Sequence, residues 1–197
     1  VPAPLALAPP APLRRPRVLL VGSALAAGAS SLTILSLLAI WLGVRADLVA
    51  RGQPTLPEGI TIELTPGTMN MGTMIMSAVT AAWVVYSLRN DDRPHAYLAL
   101  FLTLLLGVAF IVQTAYLYQL TGLVIAESPQ AVLIYAATGA HVAMTVGGLL
   151  FLAVMGFHAL GGQLTGRSAE AMSAATLYWW ATVAVYAVLW YGIYITK

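Results

Sequence analysis

The sequence predicts an all-α integral membrane protein built as a bundle of five transmembrane helices. Of its 197 residues, 60% are apolar and only 8% are charged, against about 25% charged in an ordinary soluble domain. Five stretches, 18–44, 64–88, 94–126, 128–166 and 171–196, contain no Asp, Glu, Lys or Arg. Each is longer than the roughly 20 residues that carry a helix across a ~30 Å hydrocarbon core. No part of the chain is left over for a separate soluble domain.

Composition also excludes several kinds of chemistry. Cysteine is absent, which rules out a disulfide, a thiolate metal centre, an iron–sulfur cluster and a C-x-x-C-H haem attachment. A net charge of +2, scattered along the chain, is too small for nucleic-acid binding.

The segment 1–17 carries six prolines and then Arg14, Arg15 and Arg17. Proline at that density favours an extended tail, whose arginines set topology or dock against a partner subunit. The remainder, 18–197, is one transmembrane domain. Its first helix, 18–45, is too long for a signal-peptide core and is read as a retained span. The small residues Gly22, Ser23, Gly28, Ser30, Ser31 and Ser36 allow close helix approach. The longest connection follows, with prolines at 54, 57 and 66 and a short extended segment expected over Thr61-Ile62-Glu63-Leu64.

The second helix, 69–88, contains Met69, Met71, Met74 and Met76, read as core filler rather than as a soft-metal site. A charged turn, Arg89-Asn90-Asp91-Asp92-Arg93-Pro94, leads to the third helix at 95–120. Ser128-Pro129 supplies an N-cap and a first-turn proline for the fourth, 129–160. Gly161-Gly162 ends it, and Ser168 with Glu170 signals the start of the fifth, 169–195. With the N-terminus inside, six arginines (14, 15, 17, 89, 93 and 167) fall on the cytoplasmic side, against Arg45, Arg51 and Lys197 outside. The positive-inside rule then places the N-terminus in the cytoplasm and the C-terminus outside.

Intramembrane ionisable residues point to function by default, and here only histidines qualify. His95 and His158 lie near helix ends, while His141 is about ten residues into its helix, or ~15 Å. His141 and His158 share one helix about 25 Å apart, so an intrinsic bis-histidine haem is excluded for a single chain. A mononuclear metal site lacks convergent ligands. His141 is read as a core histidine bonded to a hydroxyl or carbonyl such as Thr138 or Thr145, with proton relay or lipid contact as the alternative. Gln113 is the other deep polar side chain and suits an interhelical hydrogen bond. Trp179, Tyr186 and Trp190 share one face of the last helix, a stripe suited to packing against lipid or a partner. Gly147 and Gly148 mark a close helix approach. These seven residues are the candidate lipid or subunit contacts, and no catalytic constellation is present.

Tyr135-Ala136-Ala137-Thr138-Gly139-Ala140-His141, continued by Gly147-Gly148-Leu149, resembles the Y-x-A-T-G-F-H-G-L-H-V-x-x-G-G stretch of cytochrome c oxidase subunit III. Tyr178-Trp179-Trp180 through Trp190-Tyr191-Gly192-Ile193-Tyr194 is similar to that family's closing helix, Y-W-H-F-V-D…W-…-I-Y. Ala115-Tyr116-Leu117-Tyr118 resembles its A-Y-E-Y segment, and Trp41-Leu42-Gly43-Val44-Arg45-Ala46 the end of the helix that opens the five-helix bacterial form. The resemblance runs over 18–197. Several polar family positions differ: Ser30 stands for a buried glutamate, Leu117 for the A-Y-E-Y glutamate and Met144 for the second histidine. Trp180 and either Val183 or Ala184 stand for the histidine and aspartate of the closing helix.

The resemblance implies a non-catalytic accessory subunit of a haem-copper terminal oxidase in the bacterial plasma membrane. It would pack on subunit I, with subunit II in the same complex, and hold phospholipid. Haem and copper would reside in the partner catalytic subunit, with no cofactor in this chain. Loss of buried carboxylates removes the groups best able to steer protons, so stabilising and lipid-holding roles are the ones that remain. The alternative is a structural or assembly subunit of another membrane respiratory complex, such as a nitric oxide reductase companion. A small-molecule transporter would need broken helices and midplane charges, and neither is evident.

Overall fold

The protein is described as a computed structural model over residues 17–57, 60–125, 128–159, 161 and 168–196. Its elements are α1 (Val18–Ala50), α2 (Leu64–Arg89), α3 (Arg93–Thr121), α4 (Pro129–His158) and α5 (Ser168–Trp190), the last continued by a π-helical turn over Tyr191–Ile195. All five helices are long and apolar enough to cross a membrane. Five spans were expected from the charge-free stretches, and five are present among the described residues.

Helix ends differ from the sequence expectation where charge or proline was taken as a stop. α1 continues past Arg45 to Ala50, and its 33 residues extend ~50 Å, well beyond a ~30 Å hydrocarbon core. Asp47 in its last turn pairs with Arg51, just past the helix end, at 2.9 Å. A charge ends the apolar stretch there but not the helix. α2 begins at Leu64, which places Pro66 third in the helix. The first four N–H groups have no intrahelical acceptor, so proline at that position breaks no bond. The extended segment expected over 61–64 is therefore shortened: Glu63 is extended, but Leu64 is already helical. Ile62 turns inward and is buried.

Caps explain the tight turns. Ser128 Oγ accepts from Ala131 N at 3.1 Å, with Pro129 in the first turn. Asp92 caps α3 through His95 N and also pairs with His95 Nδ1 at 2.7 Å. Those contacts hold the Asp92 carboxyl below its ordinary value, the side-chain bond to His95 being the largest cause. Gly122 closes α3 at φ +63, a left-handed conformation that glycine adopts without Cβ strain. Regular α-helix in α4 stops at His158; of the expected Gly161-Gly162 terminator, Gly162 lies outside the described residues. Also outside are residues 1–16, which include Arg14 and Arg15, together with Arg167, Lys197 and the side chain of Ser168.

α2, α3, α4 and α5 pack as a four-membered ring, with α2 on α3, α3 on α4, α4 on α5 and α5 on α2. α1 lies outside this ring against α4 and α5. The most apolar window of α5 is 56% buried, against 17% for that of α1, which makes α5 the central helix. Two apolar clusters follow from this arrangement. One joins Ile34, Leu38 and Trp41 of α1 to Ile134, Met144, Leu189 and Ile193. The other fills the ring with Met74, Phe110, Leu152, Met172 and Trp179.

Replacing Ser128 by Ala leaves Ala131 N without its acceptor. The expected cost is about 1 kcal/mol, read as a lower thermal midpoint of the detergent-solubilised protein. An unchanged midpoint would show that the cap does not hold α4.

Candidate functional site

The interior of the ring is a polar seam built from uncharged side chains. Its centre is a three-ring cluster of Phe110 on α3, His141 on α4 and Tyr186 on α5. Phe110 meets His141 edge-on at 5.5 Å and Tyr186 at 4.8 Å, and the His141 and Tyr186 rings lie 5.3 Å apart. His141 is 1% exposed, and its Nε2 donates to the Thr182 carbonyl at 2.9 Å. The expected hydrogen bond is present, but its partner is on α5 rather than Thr138 or Thr145. Thr145 donates instead to the carbonyl of His141, and Thr138 accepts from Tyr118 at 2.7 Å.

The aromatic stripe of α5 faces α2. Trp179 Nε1 donates to Ser77 Oγ at 3.0 Å, Tyr186 to the Gly67 carbonyl at 3.3 Å and Trp190 Nε1 to Thr68 Oγ1 at 3.4 Å. Between α2 and α3, Thr103 and Thr80 hydroxyls lie 2.8 Å apart, Asn70 Nδ2 donates to Thr114 and Thr73 donates to Gln113 Oε1. α1 is tied to α5 by Ser23, which donates to the Ala174 carbonyl at 2.6 Å. In lipid such bonds add directional links where hydrophobic drive between helices is missing.

The seven candidate contact residues thus divide. His141, Trp179, Tyr186 and Gly148 are buried against the chain's own helices. Gln113 and Trp190 are half-buried, and Gly147 is exposed. Trp179 shows why the stripe points inward. A Cβ on Gly107 of α3 would sit 2.8 Å from its ring, and one on Gly148 of α4 would sit 2.9 Å away. Both glycines make room for one indole.

Sequence reasoning missed Ser77, Asn70, Thr114, Phe110 and Thr182. A signal was present in α2, where Gly67, Asn70, Met74, Ser77, Ala81 and Val84 recur at alternating spacings of three and four and are all buried. The methionines drew attention instead, yet of the four Met74 is fully buried and Met71 packs partly buried against the same cluster, while Met69 and Met76 are 66% and 56% exposed. Among the described residues, no group of three His, Asp or Glu side chains could hold a metal ion.

A family model described as cytochrome c oxidase subunit III matches residues 49–197. That match leaves most of α1 outside, including the Trp41–Ala46 segment. Curated relatives include a cytochrome c oxidase subunit 3 of Strongylocentrotus purpuratus, 33% identical over 141 residues that make up 70% of this chain and 54% of that protein. The Bos taurus protein of that name is 31% identical over 126 residues, 64% of this chain and 48% of its own. A probable cytochrome c oxidase subunit 3 of Rickettsia conorii is 31% identical over 124 residues, 62% of this chain and 44% of its own. The chain spans about half the length of the curated relatives it matches.

Two substitutions separate packing inside the chain from contacts outside it. Gly148→Leu drives a side chain into Trp179 and is expected to cost about 1–3 kcal/mol. Gly147→Leu, with only the Tyr178 hydroxyl near at 3.6 Å, should leave the thermal midpoint of the isolated chain unchanged. Equal losses for both would contradict the assignment of Gly148 to the interior. His141→Ala empties the centre of the ring cluster, at an expected cost of roughly 2–4 kcal/mol; a midpoint equal to that of the unsubstituted chain would show that the cluster is not a core.

Proposed function

Because the chain belongs to the cytochrome c oxidase subunit III family, we propose that it serves as a non-catalytic accessory subunit of a bacterial haem-copper terminal oxidase. It braces the catalytic subunit I, with subunit II in the same complex, and holds phospholipid. Haem and copper belong to the partner. The multi-pass chain sits in the bacterial plasma membrane with its N-terminus cytoplasmic and its C-terminus outside.

The observation that carries this reading is the uncharged seam. A proton relay needs groups that change charge, and a redox or hydrolytic site needs convergent ligands or a nucleophile with its base. Among the described residues the deep polar side chains are hydroxyls, amides, indoles and one histidine, and many of them link one helix to another. Leu117 and Met144 stand where the family resemblance places a glutamate and a histidine, and both are buried in the apolar cluster that joins α1 to α4 and α5. Such a bundle supports a neighbour through its shape. The Rickettsia relative supports the bacterial setting.

Purifying the tagged chain from its native membrane in mild detergent tests the proposal. A haem-bearing catalytic subunit should co-elute in fixed proportion, with its absorption in the optical spectrum. Recovery of a colourless chain without partners overturns the accessory role. Pigment retained by the chain after the other subunits are stripped overturns the non-catalytic one.

A further inference from the structure

The reading of the chain as an accessory subunit, on which this inference rests, leaves open which face meets the partner. Gln113 of α3 marks one. It accepts from Thr73 of α2 through its Oε1 at 3.2 Å. Its Nε2 has no acceptor among the described residues and opens on the outer surface of the α2–α3 pair. We propose that this surface, with Gln113 at its centre, docks a transmembrane helix of the catalytic partner that carries a hydroxyl or amide side chain at the depth of Gln113.

Depth gives the amide its force. Gln113 precedes Thr121, the end of α3, by ~12 Å. A 29-residue helix overhangs a ~30 Å hydrocarbon core by roughly 7 Å at each end when centred, so the amide stands inside the apolar layer. Water does not reach that depth, and an amide N–H without an acceptor in hydrocarbon is costly. Acyl chains offer it no acceptor. The backbone carbonyls of a neighbouring helix are taken by that helix's own N–H groups. What remains is a side chain on a protein helix, and a neutral one, since a full charge in hydrocarbon is expensive.

The surroundings suit close approach of such a helix. Gly72, beside Thr73 in α2, is exposed, and a Cβ there would meet nothing within 4 Å. The chain's own packing therefore does not require a glycine at this position, although glycine inside a helix costs stability relative to alanine. Ala109 lies one turn before Gln113 on α3 and is half-buried. Small residues on both helices thus lower the surface beside the polar group. Met69 and Met76, one turn to either side of Thr73, stand out from α2, and their unbranched side chains adapt to an incoming helix. The neutral hydrogen bonds that join helices inside the chain continue here across its surface.

The complex purified from its native membrane tests the surface. A photo-reactive benzophenone side chain at position 76 should cross-link to the catalytic subunit. Gln113→Leu should lower the amount of catalytic subunit retained at raised detergent about threefold, the worth of one interhelical hydrogen bond in a membrane. Thr73→Val breaks the same bond inside the chain but keeps the outward amide, and should retain the partner as the unsubstituted chain does. Gly72→Leu should lower retention about tenfold by overpacking the contact, with the thermal midpoint of the isolated chain unchanged. A cross-link from position 76 to a second copy of this chain, or to lipid alone, overturns the proposal. So does equal retention by the Gln113→Leu and unsubstituted chains. Equal losses in Gln113→Leu and Thr73→Val also overturn it, because they trace the effect to folding of the chain itself. If the catalytic subunit co-elutes but does not cross-link from position 76, this surface alone is ruled out. If no catalytic subunit co-elutes with the unsubstituted chain, the accessory reading falls and takes the surface with it.

Discussion

The bundle depends on one indole. Trp179 is 0% exposed, rises from the central helix and meets each of the other three ring helices within one side chain's reach. Glycines on α3 and α4 admit its ring, and a serine hydroxyl on α2 accepts a hydrogen bond from its N–H. In water such a site would draw mainly on burial of apolar area. In a bilayer the surroundings are equally apolar, so what remains is close packing and the hydrogen bond. Trp179 supplies both, and the spacing of four helices is set around it.

The rest of the seam extends the same solution. Hydroxyl-to-hydroxyl, hydroxyl-to-carbonyl and indole-to-hydroxyl contacts link neighbouring helices without placing a full charge in hydrocarbon, where one would be costly. This economy has a functional side. A bundle whose helices are tied by neutral groups can present a surface of fixed shape to whatever it packs against. The outer face carries what variety remains: exposed aromatic rings, a half-buried amide at Gln113 and arginines at the helix ends.

Much of this fold was legible because lipid imposes a simple code. Charge-free stretches longer than a bilayer is thick cannot be confused with anything soluble, and Ser128-Pro129 marks a helix start by local chemistry alone. Element ends were harder where two rules overlapped. Arg45 closes an apolar stretch without closing a helix, and Pro66 resembles a breaker unless its place in the first turn is known. The aromatic face of α5 was readable as a face, but not its partner. A stripe of Trp179, Tyr186 and Trp190 is the same string whether lipid, another subunit or α2 lies opposite. Gly107 and Gly148 decide the matter, since they sit on two other helices at matching depth. That pairing exists only in three dimensions. Likewise His141 could be recognised as deep and hydrogen-bonded, but its acceptor is a backbone carbonyl 41 residues away, which no local pattern reveals.

The pairing of α1 with α5 has a consequence for biogenesis. α1 packs more extensively on α5 than on α4, and its Ser23 bond reaches across 151 residues. During synthesis α1 is threaded before α2, α3 and α4, so three spans separate it from its principal partner. Only when α5 follows can α1 take up its main contacts. A product stalled before α5 leaves α1 without the neighbour it packs on most.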